Sequence, residues 1–153
     1  MATILIREAQ ECDCALLAVV MRPADRREVE ALGLTPVQAL YESFKDSLIA
    51  YTVEVDGWPA AMFGITPYQL LGERASVWLL TGEGINKIPI TFVKLSIYYI
   101  AKFLELYPVL DNWIDERYTA GIRWLEMCGA VFDKAGIVKP GNVVFRHFVL
   151  RKG

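Results

Sequence analysis

An α/β fold built on a pair of parallel strands is what this sequence predicts, and three features of the stretch 75–130 predict it. Ala75–Thr81 is a β-rich run that ends in a polar, glycine-containing loop. A long apolar helix follows from about Thr91 to Leu106 and is ended by Tyr107-Pro108. Val109–Ile114 then reads as a strand and Arg117–Cys128 as a helix closed by Gly129. Strand, helix, strand, helix is a βαβα unit, and the crossover helix makes its two strands parallel.

The remaining elements follow from local chemistry. Ala2–Arg7 alternates and predicts a first strand. Glu11–Val20 predicts a helix that Arg22-Pro23 interrupts, and Ala24–Leu32 is a second charged helical piece stopped by Gly33. Thr35-Pro36-Val37-Gln38 is a capping box with proline at the first helical position, which predicts a helix to about Lys45. Leu48–Val55 and Trp58–Thr66 are strands joined by the hairpin turn Asp56-Gly57, and Pro67 closes the second. Tyr68–Arg74 is a loop. In the long helix, Lys94, Lys102 and Glu105 leave only a narrow polar edge, so burial on most sides is expected. Ala130–Val138 and Val143–Leu150 predict a closing hairpin around Lys139-Pro140-Gly141-Asn142. The order that results is β-α-α-β-β-β-α-β-α-β-β.

Composition narrows the functions. A chain of 153 residues suits one domain, 1–153, with a full core. Hydrophobic residues are 54% and charged ones 22%, which implies apolar surface covered by a partner or ligand, a homo-oligomer included. The net charge of −2 gives no general attraction for nucleic acid or an anionic membrane. Charges inside the longest apolar run argue against a membrane span. The N-terminus lacks a basic region followed by an uninterrupted apolar core, so no cleaved signal peptide is expected. Cys12, Cys14 and Cys128 are an odd set without framework spacing, which suits a reducing compartment, and the cytoplasm is the expected location. Cys12-Asp13-Cys14 reads as a helix start rather than half a metal site. With His147 as the single imidazole, a zinc site or a Ser-His-Asp triad has little to build on, and no metal is expected.

The element order resembles the GNAT acyltransferase superfamily over almost the whole chain. The segments MRPADRREVEALG, DGWPAAMFG, VWLLTG and NWIDERYTAGIRWLEMCG resemble, more narrowly, a small family of phage proteins with a GNAT-like fold, related to internal core or virion-assembly proteins of short-tailed phages. The superfamily resemblance implies a three-layer α/β/α domain whose mixed sheet has a central parallel strand pair. It also implies acetyl-CoA as cofactor. The pantetheine arm would slot between Ala75–Thr81 and Val109–Ile114, and the pyrophosphate would sit on the next helix N-terminus. An amine would attack the thioester after losing a proton to a carboxylate, with a tyrosine protonating the leaving thiolate.

Carried onto this chain, the resemblance puts Leu79, Leu80 and Thr81 at the acyl and pantetheine site. Gly82, Gly84, Asn86, Lys87 and Lys94 become the candidates for phosphate contacts. The family's phosphate loop would fall on Asn86-Lys87-Ile88-Pro89-Ile90-Thr91, where its glycines are missing and Pro89 removes an N–H. The tyrosine signature falls on Tyr118, Gly121 and Leu125, so a leucine stands at the general-acid position and Tyr118 is the substitute. Glu83 and Glu54 are the candidate bases, with Glu73, Asp115 and Glu116 less direct. Two readings stand side by side. One is an acyl-CoA-dependent N-acyltransferase acting on a small-molecule or protein amine. The other is a non-catalytic GNAT-fold phage protein that binds phage structural proteins in the host cytoplasm during virion assembly.

Overall fold

The computed structural model describes residues 1–139 and 141–153, so Pro140 of the predicted closing turn lies outside the described residues. Seven strands form one mixed sheet whose hydrogen-bonded neighbours run β1-β2-β3-β4-β5-β7-β6. Here β1 is Ile4–Glu8, β2 Ile49–Val55, β3 Trp58–Pro67, β4 Arg74–Thr81, β5 Val109–Asp115, β6 Val131–Lys139 and β7 Val143–Arg151. The helices are α1 Glu11–Val19, α2 Pro23–Ala31, α3 Pro36–Asp46, α4 Pro89–Leu106 and α5 Thr119–Met127. β4 and β5 pair in parallel, as the crossover through α4 requires. The chain divides into two compact units, Met1–Thr66 with Trp78–Pro89, and Pro67–Val77 with Ile90–Gly153.

In the first unit, three separate helices stand where the expected order has two. Pro23 opens α2, and Arg22 just before it is extended. The capping box of α3 is formed: the Gln38 N–H donates to Thr35 Oγ1, and the Thr35 N–H donates to the Gln38 side chain. Asp56 and Gly57 both have positive φ, 52° and 83°, which gives the β2–β3 hairpin its tight two-residue turn. Leu17, Leu40, Met62 and Leu80 centre a core that α1, α2 and α3 share with the strands. Gly64 is required there. A Cβ at that position would lie 2.3 Å from the Ile49 carbonyl oxygen.

In the second unit, α5 ends in a Schellman closure. The Ala130 N–H reaches the Leu125 carbonyl and the Gly129 N–H that of Glu126, with Gly129 at φ 97°. Four expectations need correction. Glu83–Lys87, expected as part of a loop, forms a 3-10 turn, and α4 starts at Pro89 rather than Thr91. Proline is well suited to a first helical position, because its missing N–H would have no partner there. α5 begins at Thr119, because Asp115 takes up the Arg117 N–H and holds that residue outside the helix. Finally, α4 is not buried on most sides. Ile100 and Phe103 are buried, while Ile90 (72% exposed), Ile97 (48%), Tyr98 (53%) and Leu106 (55%) face outward. A helix in an outer layer can lay only one stripe on a sheet, whatever its overall composition.

Candidate functional site

In the first unit, the end of β4 meets the start of α2. The Arg22 N–H donates to the Thr81 carbonyl at 3.0 Å, and the Thr81 N–H donates to Asp25 Oδ2 at 3.0 Å. The Thr81 hydroxyl donates to Asp25 as well and accepts from Arg22 Nε at 2.7 Å. Both Thr81 and Asp25 are buried. Pro23 at the first position of α2 brings Asp25 into its first turn, where the helix dipole favours a carboxylate. The loop that follows is tied down too. The Gly82 N–H donates to Ala60 O at 2.7 Å, and the Glu83 N–H to Val20 O at 2.9 Å. Arg22 also donates to the Asn86 side chain at 3.3 Å.

The two loop glycines have a packing reason. A Cβ on Gly82 would stand 2.8 Å from Leu17 Cδ1 and 3.1 Å from Val20 O, and one on Gly84 would stand 2.9 Å from Ala60 Cβ. Close approach of backbone to its own neighbours therefore requires glycine at both positions. Leu80 belongs to the core, and Leu79 is half-buried. Glu83 and Asn86 are exposed. Lys87 is exposed and pairs with Asp56 at 3.3 Å.

Glu54 lies in a different network of the same unit. Its carboxylate accepts from Arg7 Nε at 2.6 Å, and Arg7 also forks onto Asp13 with two contacts of 2.8 Å. Asp13 further accepts from the Gln10 N–H and the Thr52 hydroxyl, each at 2.8 Å. Burial of Asp13 opposes its ionisation. The Arg7 guanidinium and these hydrogen bonds outweigh it and hold the carboxyl below the usual range.

The remaining predicted residues, Lys94 and Tyr118, belong to the second unit. Lys94 is exposed on α4. Tyr118 precedes α5 as its N-cap residue, and its ring lies over Gly121, where a Cβ would come within 3.1 Å of it. Leu125, at the position of the family tyrosine, is buried. Asp115 is buried and grips Arg117 through Nε and Nη2, and Glu116 accepts from Arg146 at 3.0 Å.

The parallel ladder between β4 and β5 pairs Arg74 with Val109, Ala75 with Leu110 and Ser76 with Asp111. At the next step a side chain replaces the backbone. Asn112 Nδ2 donates to the Val77 carbonyl at 2.7 Å while its Oδ1 accepts the Trp113 N–H at 2.8 Å. β5 itself continues against β7 as far as Asp115 opposite Phe145. Beside this point lies a cluster that sequence reasoning missed. Buried Asp111 accepts from Tyr68 Oη at 2.8 Å and from Arg74 Nη2, and it meets His147 Nε2 at 2.7 Å. His147 Nδ1 meets Asp133. Burial and the Asp111 charge push the Tyr68 hydroxyl up to about 12. Arg22 and Asp25 were missed as well, although proline followed two residues later by aspartate is a readable helix start.

No protein-family model matches the chain. It is 33% identical over 137 residues to the probable scaffold protein gp13 of Escherichia phage T7, across 88% of this chain and 90% of that protein. The chain belongs to the gp13 family. Among solved structures, this gp13-family chain is similar to the ribosomal-protein-alanine N-acetyltransferase of Brucella melitensis. The TM-score there is 0.70 at 16% identity, over 97% of this chain and 99% of that one. It is also similar to a GNAT-family acetyltransferase of Streptococcus pneumoniae (TM-score 0.63, 16% identity, 99% and 100% covered). A third is yncA of Salmonella typhimurium with its cofactor acetyl-CoA (TM-score 0.63, 14% identity, 97% and 93% covered). At such identities the likeness shows the fold: the gp13-family chain has the GNAT acyltransferase fold. No helix among its described residues is long and apolar enough to cross a membrane.

Proposed function

We propose that this gp13-family chain works as a non-catalytic GNAT-fold protein in phage particle assembly, acting as one domain in the host cytoplasm through contacts with phage structural proteins. One observation carries the reading. At the end of β4, where an acyl-CoA would need free backbone groups, Thr81 uses both its N–H and its C=O inside the chain. The Gly82 and Glu83 N–H groups are also used, and Gly82 and Gly84 are filled against Leu17, Val20 and Ala60. A phosphate cradle works by aiming unpaired N–H groups at the ligand. A loop whose N–H groups are already bonded offers less of this. The relative gp13 bears the name of a probable scaffold protein, which agrees with an assembly role.

The test is calorimetric titration of the protein with acetyl-CoA and CoA, beside complementation of phage lacking the gene. The expected result is no binding heat at millimolar ligand together with restored particle assembly. Micromolar binding overturns the proposal.

A second reading, N-acyl transfer to an amine, is favoured by the early end of the β4–β5 backbone ladder at Ser76 and Asp111. In that reading Leu79, Leu80 and Thr81 line the acyl site. Gly82, Gly84, Asn86, Lys87 and Lys94 approach the CoA phosphates, Glu83 or Glu54 serves as base, and Tyr118 is the acid. Loss of turnover in Tyr118→Phe with unchanged stability would support it. Full activity of both Tyr118→Phe and Lys87→Ala would refute the residue assignment.

A further inference from the structure

We propose that His147 is an imidazolium clasp that pins the edge strand β6 onto β7 at its bulge and releases it when the ring loses its proton. Among the described residues, β6 has one neighbour in the sheet, β7. Their register passes from Phe132 opposite Phe148 directly to Gly136 opposite Arg146. Residues 133–135 therefore stand opposite His147 alone, and the regular ladder is interrupted there. The contact between Asp133 and His147 Nδ1 spans that interruption.

Proton counting makes the contact conditional. An ionised carboxylate only accepts hydrogen bonds, whereas a neutral imidazole has one N–H and one lone pair. His147 meets a carboxylate at each nitrogen, Asp133 at Nδ1 and Asp111 at Nε2. Only the imidazolium donates to both. The groups facing the ring are Asp111 and Trp113 from β5 and Asp133 from β6, the Trp113 ring lying 4.8 Å away between centroids. Arg74 Nη2 donates to the same Asp111 oxygen, Oδ2, that the ring meets, Tyr68 Oη donates to Oδ1, and the Arg74 charge also acts on Asp133.

Those two partners decide which contact fails. Arg74 keeps Asp111 ionised, so the proton that leaves as pH rises comes from the ring and goes to solvent. The Nε2–H to Asp111, buried and braced, is the one retained. Asp133, with 57% of its side chain exposed, then faces a lone pair at Nδ1 and turns to water. The edge strand loses its tie at the bulge, and its unpaired backbone groups become more available to another chain. Burial of the ring opposes its charge, but Asp133 and Asp111 prevail and raise the His147 pKa above its ordinary value.

His147 is the single histidine of the chain, so its ring protons give an unambiguous NMR titration. The experiment titrates wild type, Asp133→Asn and Asp111→Asn from acid to alkaline pH. Amide exchange of residues 132 and 136–138 is followed in parallel and corrected for intrinsic base catalysis. The wild-type midpoint is expected above that of Asp133→Asn. Protection at 132 and 136–138 should fall by about tenfold for each pH unit separating the two midpoints. In Asp133→Asn, whose substitution is at an exposed position, protection should be lower and flat across the titration. A midpoint unchanged by Asp133→Asn, or wild-type protection that is flat through the midpoint, overturns the proposal.

Discussion

Removing the Asp25 carboxylate tests most directly whether the end of β4 is closed by the chain itself. Asp25→Ala leaves the buried Thr81 N–H and hydroxyl without their acceptor. Each unsatisfied buried donor costs about 1–3 kcal/mol. Release of the carboxylate from its own burial offsets part of that sum, so the expected loss is about 1–5 kcal/mol. Domains of this size have a total stability of about 5–15 kcal/mol, and each kcal/mol shifts their melting midpoint by roughly 2–4 °C. The variant should therefore melt roughly 2–20 °C below wild type, and urea unfolding should show the loss in the midpoint with an unchanged slope. Thr81→Val removes the hydroxyl and keeps the N–H. Because Thr81 and Asp25 are in direct contact, the double variant should fall short of additivity by about 1–3 kcal/mol. A loss below about 1 kcal/mol for Asp25→Ala, or strict additivity, would refute the claim that these groups hold one another.

Other substitutions probe neighbouring points. Gly82→Ala forces a Cβ against Leu17 and Val20 and should cost about 1–3 kcal/mol in urea unfolding, with no change if the loop is loose. Arg7→Ala strips the guanidinium from buried Asp13. Since solvent partly reaches Arg7, a loss of about 2–4 kcal/mol is expected, measured by thermal melting. Asp13 and Asp111 both have pKa values below the ordinary one, through partners that outweigh burial. Their contribution to stability is present above about pH 4 and lost as pH falls through the folded-state values, so an acid melting series should drop there and Arg7→Ala should flatten it. Asn112→Ala leaves the Val77 carbonyl and Trp113 N–H unpaired, and about 1–2 kcal/mol should be lost, with faster amide exchange at Trp113 as the local readout.

Much of this architecture was legible in the sequence because its signals are short-range. The Thr35–Gln38 capping box, the Asp56-Gly57 turn and Gly129 after α5 act within a few residues, and each stands where local chemistry puts it. Boundaries shifted where a partner distant in sequence intervened. The expected strand Ala2–Arg7 becomes Ile4–Glu8, paired along its whole length with β2. The covering of α4 was misread because apolar composition counts residues without knowing how many faces a neighbour reaches. His147 was set aside for want of a second imidazole, yet its partners are aspartates 36 and 14 residues away.

The sequence by itself determined the seven strands in their chain order, the parallel β4–β5 pair and the resemblance to GNAT-like phage proteins. Periodicity, caps and crossover length are properties of contiguous residues. Tertiary structure alone decided what the glycines of the β4 loop are for and where Asp25 and Arg22 reach. A glycine that frees an N–H for a phosphate and a glycine that admits Leu17 and Val20 are spelled the same way. The difference lies in which atoms, far along the chain, come within 3 Å of the missing Cβ, and only the folded packing brings them there.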